Sequence, residues 1–403
     1  MNILFLYGNA ILPARGGVQR VTDVLADEFE RRGNVVFYLS PAQEIDEEQT
    51  PISPRQIFMP SATLAAPENV DFFKKILRER RFDVVINQGA LGYACSRFSY
   101  HAREVGVPVI GAVHNGVLDV ARHYFEYSEV HWRDRGLGCV TRLFKTAPVR
   151  ALLLAIYKAK YRRHFRELCA NSARVVLLSE AFKADLAEYF HGKILPKNVR
   201  AISNPCTFAP HADGNAVPGG KRRELIYVGR IDFAQKRVDF LLKIWAKLEA
   251  AFPQWTLKIV GGGERLKRLV GIAEKLGLER VVFEGFQKNP EKYYRRGAIF
   301  CMTSVYEGFP MVLVEAAAFG CVPVAFDSFA AVRDIIADGE NGALVPAFDL
   351  DAYAKTLAKL MRDDALRERL AANALSVPEK FLPKKIGDRW EALLKSVVGA
   401  ASK

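Results

Sequence analysis

Short apolar runs alternate with amphipathic segments along most of the chain. In the first half, the runs that predict buried strands are Ile3–Tyr7, Val35–Leu39, Val84–Asn87, Val109–Val113 and Val175–Ser179. In the second half they are Glu224–Val228, Leu257–Val260, Val281–Phe283, Ile299–Met302, Val322–Phe326 and Gly342–Val345. Buried strands separated by helical segments are typical of parallel βα units. Two such series predict an α/β protein with two doubly wound, Rossmann-like domains.

A polar stretch rich in Pro and Gly, residues 201–221, lies between the two series and predicts the domain boundary. A chain of 403 residues also favours two domains over one core. Ligands of open parallel sheets bind beyond the C-terminal ends of the strands. We therefore expect the ligand in a central cleft that the two domains face.

Composition narrows the class of protein. Half of the residues are hydrophobic and 26% are charged, which is typical of a globular protein. The six cysteines are scattered, without the spacing of a disulfide framework or a zinc site, so we expect a reducing cytoplasm. The N-terminal apolar run is too short for a signal peptide, and no run has the length of a transmembrane helix.

The formal charge of +13 is concentrated in residues 131–170, which hold ten Lys or Arg residues against two acids. Leu, Ile, Tyr and Phe stand between these charges. Such a segment fits an anionic membrane surface, and it fits equally an ordinary helix with a solvated basic face. Nucleic acid is disfavoured, because no nucleic-acid-binding signature accompanies the charge.

Two glutamates, Glu307 and Glu315, flank the start of a predicted helix in the run E-G-F-P-M-V-L-V-E-A-A-A-F-G. Gly308 and Pro310 predict a loop, and Gly320 ends the helix. The unpaired N–H groups of a helix N-terminus suit a phosphate or sugar oxygens. The alternative is an acidic first turn that only stabilises the helix.

Three further groups follow predicted strands. They are Gly16 and Gly17 in the loop after the first strand, His114 at the end of V-I-G-A-V-H, and the pair Arg230 and Lys236 in V-G-R-I-D-F-A-Q-K. Glycines let a backbone approach a ligand, a neutral imidazole exchanges hydrogen bonds, and two cations suit a pyrophosphate. The alternatives are a flexible loop, a polar strand cap and solvated loop charges.

The order of G-G-V-Q-R, V-H-N, V-G-R with K-R, V-G-G-G-E and the two spaced glutamates resembles the retaining GT-B glycosyltransferases, and among them family 4. The resemblance covers almost the whole chain and is most specific from Glu224 to Val345. It implies an N-terminal acceptor-side domain over residues 1–200 and a nucleotide-sugar-binding domain over residues 201–382. It also implies that the last helix, within residues 383–403, packs back on the first domain.

The resemblance assigns roles to the matching positions. The residues implied in catalysis are His114, Arg230, Lys236 and Glu307. The residues implied in donor binding are Gly16, Gly17, Arg230, Lys236, Gly285, Phe286, Glu307, Gly308, Phe309, Pro310, Met311, Val312 and Glu315. The cations would neutralise the diphosphate, Glu315 would hold the ribose, and Glu307 with nearby amides would hold the sugar and its phosphate. His114 would contact the transferred sugar, and the base would lie near residues 282–288.

The pattern departs from the family at two places. Phe329 and Ala330 stand where many relatives have two glycines, and Arg237 stands where relatives often have glycine. The only D-x-D run, Asp349–Asp351, is interpreted as a helix cap. The resemblance implies no metal and no cofactor, because Arg and Lys take the place of the metal.

The predicted function is a retaining, nucleotide-sugar-dependent hexosyltransferase, with a UDP-sugar favoured over GDP-mannose as donor. The expected acceptor is a glycan or a lipid-linked glycan of cell-surface polysaccharide or lipopolysaccharide biosynthesis, recognised by residues 40–70 and 115–165. We expect a cytoplasmic protein, peripheral on the inner membrane face if residues 131–170 bind lipid. The alternative is a nucleotide-sugar epimerase or hydrolase of the same fold. An idle membrane-docking protein is a further alternative, and a nicotinamide oxidoreductase is disfavoured by the absent G-x-G-x-x-G.

Overall fold

The computed structural model describes residues 1–45, 51–126, 146–190, 195–208 and 220–401, together with Trp132 and Gly136. Contacts divide the chain into two compact units. Unit 1 comprises residues 1–117, 156–207 and 381–403, and unit 2 comprises residues 118–155 and 208–380. The sequence-based boundary at residue 200 assigns residues 118–155 to the first domain, whereas the contacts place them in unit 2.

Unit 1 contains a parallel sheet with the strand order β3-β2-β1-β4-β5-β6-β7. Its strands are β1 (Asn2–Leu6), β2 (Val35–Ser40), β3 (Gln56–Phe58), β4 (Val84–Asn87), β5 (Val109–Val113), β6 (Arg174–Leu177) and β7 (Val199–Ala201). Strands β1, β4 and β5 are almost fully buried, which explains their continuous apolar runs.

The helices before β8 and at the end of the chain are α1 (Gly17–Arg31), α2 (Pro67–Glu79), α3 (Tyr93–Glu104), α4 (Asp119–Arg122), α5 (Ala147–Asn171), α6 (Phe182–Ala187) and, last, Pro383–Ala401. The last helix contacts α1 within unit 1. Phe29 and Trp390 meet edge to face, and Arg32 donates to Glu391 at 2.6 Å. These contacts hold the chain's end on the unit that also holds its beginning.

Unit 2 contains a second parallel sheet with the order β10-β9-β8-β11-β12-β13. Its strands are β8 (Arg222–Val228), β9 (Thr256–Val260), β10 (Val281–Gly285), β11 (Gly297–Met302), β12 (Val322–Asp327) and β13 (Ala343–Pro346). Its helices are α7 (Val238–Ala246), α8 (Leu266–Lys275), α9 (Glu291–Arg296), α10 (Met311–Ala318), α11 (Leu350–Arg362) and α12 (Asp364–Ala374), and the last helix of the chain becomes α13.

Every strand that the apolar runs predict is present, with ends that differ by at most two residues. The runs did not predict β3 and β7. Both strands have three residues and lie at the two edges of the unit 1 sheet. An edge strand is only partly buried, so its sequence does not need a continuous apolar run. Two parallel sheets with covering helices confirm the predicted fold class.

The predicted cap at Asp349 is confirmed. Its side chain accepts a hydrogen bond of 2.8 Å from the N–H of Ala352, at the start of α11. Asp351 pairs with Lys247 at 2.8 Å. In the described residues, no cluster of three or more His, Cys, Asp or Glu side chains could hold a metal ion.

The cysteines that the structure describes are all buried: Cys95, Cys169, Cys206, Cys301 and Cys321. No helix among the described residues is long and apolar enough to cross a membrane. Of the basic segment 131–170, residues 131, 133–135 and 137–145 lie outside the described residues, as do residues 209–219 of the predicted boundary.

Candidate functional site

Three glycine-containing turns meet at the C-terminal ends of β8, β9 and β10. The N–H of Gly229 donates to Val260 O at 3.0 Å, and the N–H of Gly261 donates to Gly285 O at 2.8 Å. Gly261 has φ +151°, and a Cβ on it would lie 1.8 Å from Gly229 O. Only glycine fits there, because both the backbone conformation and the close approach exclude a side chain. The turns therefore form a closely packed backbone floor at one end of the unit 2 sheet.

Gly285 and Phe286, the predicted neighbours of the nucleotide base, lie on this floor. Gly285 has φ +67°, which favours glycine. The side chain of Phe286 is 66% exposed although it is large and apolar. Phe286 packs close to Gly262, because a Cβ atom added to Gly262 would lie 3.2 Å from the Cβ atom of Phe286. The turn thus presents an aromatic ring to solvent at the sheet's C-terminal edge.

Lys236 and Glu307 form an ion pair beside the floor, with Nζ 2.5 Å from Oε1. Both side chains are largely buried, with 21% and 10% exposed. The loops that carry them are held together by backbone bonds. The N–H of Val305 donates to Gln235 O at 2.7 Å, and the Gln235 side chain donates to Tyr306 O at 3.1 Å. The structure therefore brings together two of the predicted site residues that lie 71 positions apart.

Arg230 lies on the loop after β8, and its side chain is 63% exposed. One guanidinium nitrogen lies 3.3 Å from Asp232 Oδ2. The Tyr227 hydroxyl donates to Arg230 O at 2.8 Å, and Asp232 Oδ1 accepts from the N–H groups of Ala234 and Gln235 at 2.7 Å. The loop backbone is thus braced while the Arg230 side chain stays accessible. Burial, and after it the charge of Glu307, raises the pKa of Tyr227.

Arg237 has a left-handed backbone, with φ +46°, and is nearly fully buried at 1% exposed. Glycine adopts this backbone conformation without the steric cost that a side chain adds. Its guanidinium donates to Asp239 Oδ1 at 3.1 Å and to the carbonyl of Glu126 at 3.1 Å. It also lies 3.6 Å from the centre of the Phe240 ring. Through its bond to the Glu126 carbonyl, Arg237 holds the segment that ends at Glu126 next to the loop of Lys236. The sequence did not predict this contact.

Helix α10 begins at Met311, directly after Gly308, Phe309 and Pro310. The N–H of Met311 donates to Phe309 O at 2.9 Å, and the N–H of Leu313 donates to Pro310 O at 2.9 Å. The loop itself therefore occupies the amide of Met311, which the resemblance assigned to the donor. Val312 stands one residue further along the helix.

Glu315 lies one turn inside α10 and is 1% exposed. Its Oε2 accepts a hydrogen bond of 2.9 Å from the Tyr294 hydroxyl. Tyr294 in turn stacks on Phe319 with parallel rings 6.1 Å apart. Gly320 has φ +64° and ends the helix as predicted. Glu307 and Glu315 thus have different partners, a lysine and a tyrosine.

The loop after β12 carries the departure from the family. Phe329 is buried and extended, and Ala330 begins a short 3₁₀ helix, Ala330–Asp334. The carbonyl of Ser328 lies 2.7 Å from Nε2 of His123, and the Ser328 hydroxyl donates to Ser304 O at 2.8 Å. Side-chain hydrogen bonds and the buried Phe329 therefore hold this loop.

In unit 1, Gly16 and Gly17 precede and open α1. Gly16 is extended, with φ −175°, and a Cβ on Gly17 would meet no atom within 4 Å. Neither a positive φ nor a close neighbour requires glycine at position 17. The carbonyl of Gly16 accepts from the N–H of Arg20 at 3.0 Å.

His114 directly follows β5, and its Nε2 lies 2.5 Å from Oε1 of Gln88. Burial lowers its pKa to about 4, so the imidazole is neutral at pH 7. Its Nδ1 is buried without a hydrogen-bond partner among the described atoms. Sequence reasoning missed Gln88, although it directly follows β4 and the strand-end rule that selected His114 applies equally to it.

The family description "Glycosyl transferases group 1" matches residues 214–377, and "Glycosyltransferase Family 4" matches residues 15–207. An uncharacterized glycosyltransferase of Haemophilus influenzae is 32% identical over 55% of this chain. An N-acetylgalactosaminyltransferase of Campylobacter jejuni, whose name gives a diphospho-undecaprenol-linked saccharide as substrate, is 28% identical over 51% of this chain. The matched stretches span 61% of the first relative and 56% of the second.

A similar solved structure is that of Alr3699/HepE from Anabaena in complex with UDP-glucose. The two folds superpose with a TM-score of 0.71 at 18% identity, over 98% of this chain and 100% of the other. At this identity the similarity concerns the fold, and it agrees with the two parallel sheets described above.

Proposed function

Because the chain belongs to the group 1 glycosyltransferases of the family 4 type, we propose that it transfers a hexose-type sugar from a UDP-sugar to a glycan or lipid-linked acceptor. The observation that carries the donor site is the Lys236–Glu307 pair beside Arg230, at the C-terminal edge of the unit 2 sheet. Two cations and a carboxylate next to a backbone floor suit a ligand that joins a diphosphate to a polyol.

The diphosphate is the leaving group, and it gains negative charge as its bond to the sugar breaks. Arg230 and Lys236 stabilise that charge, and their effect is large because the braced loops hold them in place before the reaction. Lys236 is already desolvated at 21% exposed, which strengthens its interaction with a phosphate oxygen. Glu307 accepts hydrogen bonds from the sugar hydroxyls and keeps Lys236 oriented.

The nucleoside is held further along the same edge. The exposed Phe286 ring offers a stacking surface for the base, and Glu315 accepts hydrogen bonds from the ribose hydroxyls. The Tyr294 hydroxyl, which donates to Glu315 Oε2, fixes the orientation of this carboxylate. A UDP-sugar is favoured as donor because the structural relative from Anabaena holds UDP-glucose in the same fold.

The reaction proceeds with retention at the anomeric carbon. The acceptor hydroxyl attacks from the face on which the diphosphate leaves, the new glycosidic bond forms as the sugar–phosphate bond breaks, and the hydroxyl proton passes to a phosphate oxygen. In this proposal Glu307, which is paired with Lys236, binds the sugar and is not the nucleophile. NMR of the product linkage tests this step: an inverted anomeric configuration relative to the donor would contradict it.

A lipid-linked acceptor places the enzyme at an anionic membrane surface, and α5 supplies a matching face. Its exposed side chains are apolar in the first half, at Leu152 and Ile156, with 60% and 54% exposed. They are basic in the second half, at Lys160, Arg163 and Arg166. Exposed aliphatic groups next to cations are typical of helices that lie in a lipid interface.

A thermal-shift screen against UDP-, GDP- and ADP-sugars tests the donor, because a ligand that binds the folded state raises the unfolding temperature. We expect the largest shift with UDP-sugars. Incubation with donor alone separates transfer from the alternative reactions: rapid epimerisation, or stoichiometric hydrolysis without acceptor, would contradict transfer.

A further inference from the structure

Thr303 is the first residue after β11, and its side chain joins the loop after β11 to the loop after β8 within unit 2. The residue is fully buried. Its hydroxyl donates to the carbonyl oxygens of Lys236 and Arg237, at 3.0 Å in both cases. A hydroxyl has one proton, so the two carbonyls share it. Thr303 therefore holds the backbone that carries the Lys236 side chain.

The two carbonyls belong to the peptide groups on either side of the Arg237 Cα atom. A side chain that holds both peptide groups restrains φ and ψ of the residue between them. Arg237 has the left-handed φ of +46°, a conformation that costs free energy in a residue with a side chain and persists where its surroundings enforce it. The Thr303 hydroxyl thus stabilises the turn between Lys236 and the start of α7.

The remaining parts of Lys236 are held from the same loop. On its N-terminal side, the N–H of Val305 donates to Gln235 O at 2.7 Å, and the Gln235 amide nitrogen donates to Tyr306 O at 3.1 Å. At the end of the side chain, Glu307 Oε1 lies 2.5 Å from Nζ. A lysine has four flexible carbon–carbon bonds, so ordering it when a ligand binds costs conformational entropy. A backbone that is already fixed on both sides of Lys236 lowers that cost.

We propose that Thr303 is a positioning residue of the donor site, whose hydroxyl holds the turn at Arg237 and thereby directs Lys236 to the diphosphate. This inference rests on the proposed function, since it requires Lys236 to bind a phosphate. Thr303 itself does not contact the ligand, because its hydroxyl is buried and donates to the two carbonyls.

A double-mutant cycle tests whether Thr303 acts through Lys236. Calorimetry measures the affinity for UDP in the unaltered protein, Thr303→Val, Lys236→Ala and the double variant; valine has the shape of threonine but no hydroxyl. We expect Thr303→Val to weaken UDP binding about three- to tenfold in the unaltered background and less than about twofold in the Lys236→Ala background.

A hydroxyl that only stabilised the fold would give a different result in this cycle. Loosening unit 2 as a whole would also disturb Phe286 and Glu315, so UDP binding would weaken by the same factor in both backgrounds. Equal losses of affinity in the two backgrounds, or no loss in either, would overturn the inference. If the unaltered protein binds no UDP, the proposed function itself fails, so the two failures are distinguishable.

Thr303→Ser is the conservative variant, because it keeps the hydroxyl and removes only a methyl group. Its UDP affinity should stay within about twofold of that of the unaltered protein. A loss as large as in Thr303→Val would assign the effect to packing of the methyl group and would overturn the inference. If Thr303→Val does not fold, Thr303→Cys takes its place in the cycle, because a thiol is only a weak hydrogen-bond donor.

Thr356→Val is the matched control. Thr356 lies in α11 of the same unit, and its hydroxyl donates to Ala352 O at 2.9 Å. Losing this bond removes the same kind of contact away from Lys236, so UDP affinity should stay within about twofold of that of the unaltered protein. A loss as large as in Thr303→Val would show that UDP binding follows any lost hydroxyl bond of unit 2, and it would overturn the inference.

Discussion

Lys236 Nζ lies 2.5 Å from Glu307 Oε1, although the two residues belong to loops after different strands, β8 and β11. These strands are neighbours in the unit 2 sheet, so parallel pairing brings the two loops to the same edge. The pair joins a cation suited to a phosphate with a carboxylate suited to a sugar. A ligand that contains both a phosphate and a sugar can thus contact both side chains at once.

Replacing both cations of this site should abolish sugar transfer. The variant Arg230→Ala/Lys236→Ala removes the groups that balance the leaving diphosphate, and one charge-assisted bond alone contributes about 1.5–3 kcal/mol. Initial transfer rates and UDP affinity measure the effect. The control is Arg223→Ala/Lys247→Ala, which likewise removes one arginine and one lysine of unit 2, each of them paired with an aspartate. Sugar transfer that survives in the first variant would contradict the role assigned to Arg230 and Lys236.

Glu315→Gln should weaken recognition of the ribose. A carboxylate accepts hydrogen bonds with both oxygens, whereas an amide offers only one acceptor, and the Tyr294 hydroxyl already donates to Oε2. We expect the intact protein to bind UDP more tightly than 2′-deoxy-UDP, and the variant to lose most of this preference. Tyr294→Phe is the comparison, because it keeps the carboxylate. An unchanged preference in Glu315→Gln would remove Glu315 from the ribose site.

Gly261→Ala should destabilise unit 2 severely. The added Cβ would lie 1.8 Å from Gly229 O on a backbone with φ +151°, so the turn floor cannot keep its geometry. A loss of about 3 kcal/mol or more, with loss of UDP binding, is the expectation for overpacking combined with backbone strain. Gly271→Ala is the control: it lies inside α8 with no atom within 4 Å, and should stabilise by about 0.5–1 kcal/mol. Urea unfolding compares the two, and equal stabilities would contradict the packed floor.

The neutral state of His114 should make folding stability depend on pH. Its pKa is lowered to about 4 by burial, while the unfolded chain titrates near 6.5. Between these two pKa values the unfolded state binds a proton that the folded state does not bind. The contribution of His114 to stability is therefore full above about pH 6.5 and falls as the pH drops toward 4, by at most about 3 kcal/mol. Urea unfolding at pH 7.5 and 4.5 should show a smaller loss in His114→Gln than in the unaltered protein. Equal losses of stability in the two proteins would show that His114 is not shielded from solvent in the folded state.

Neutralising the basic half of α5 should reduce binding to anionic membranes. The variant Lys160→Gln/Arg163→Gln/Arg166→Gln removes three exposed charges, each of which contributes about 1 kcal/mol near such a surface. Sedimentation with liposomes that contain phosphatidylglycerol measures the loss. Lys380→Gln/Lys384→Gln/Lys385→Gln removes the same charge elsewhere on the exposed surface and should sediment like the unaltered protein. Equal losses of liposome binding in the two variants would show that binding depends on the net charge of the protein and not on α5.

The positions of several candidate site residues could be predicted because strand ends are visible in the sequence. A buried parallel strand is a continuous apolar run, and the polar residues that follow it must lie at the C-terminal edge of the sheet. This rule selected His114, Arg230 and Lys236, and the structure places the first directly after β5 and the other two on the loop after β8. It passed over Gln88, because the rule alone does not distinguish a glutamine that faces a histidine from one that faces water.

Sequence by itself determined the two α/β halves, their strands other than β3 and β7, the cap at Asp349 and the helix end at Gly320, because each depends on neighbours within a few residues. Only the tertiary structure decided which distant side chains meet. It paired Lys236 with Glu307, Tyr294 with Glu315 and Gln88 with His114. It also buried Arg237 and placed residues 118–126 in unit 2. The reason is that side-chain contacts across adjacent strands follow from sheet order and packing, which no local pattern along the chain records.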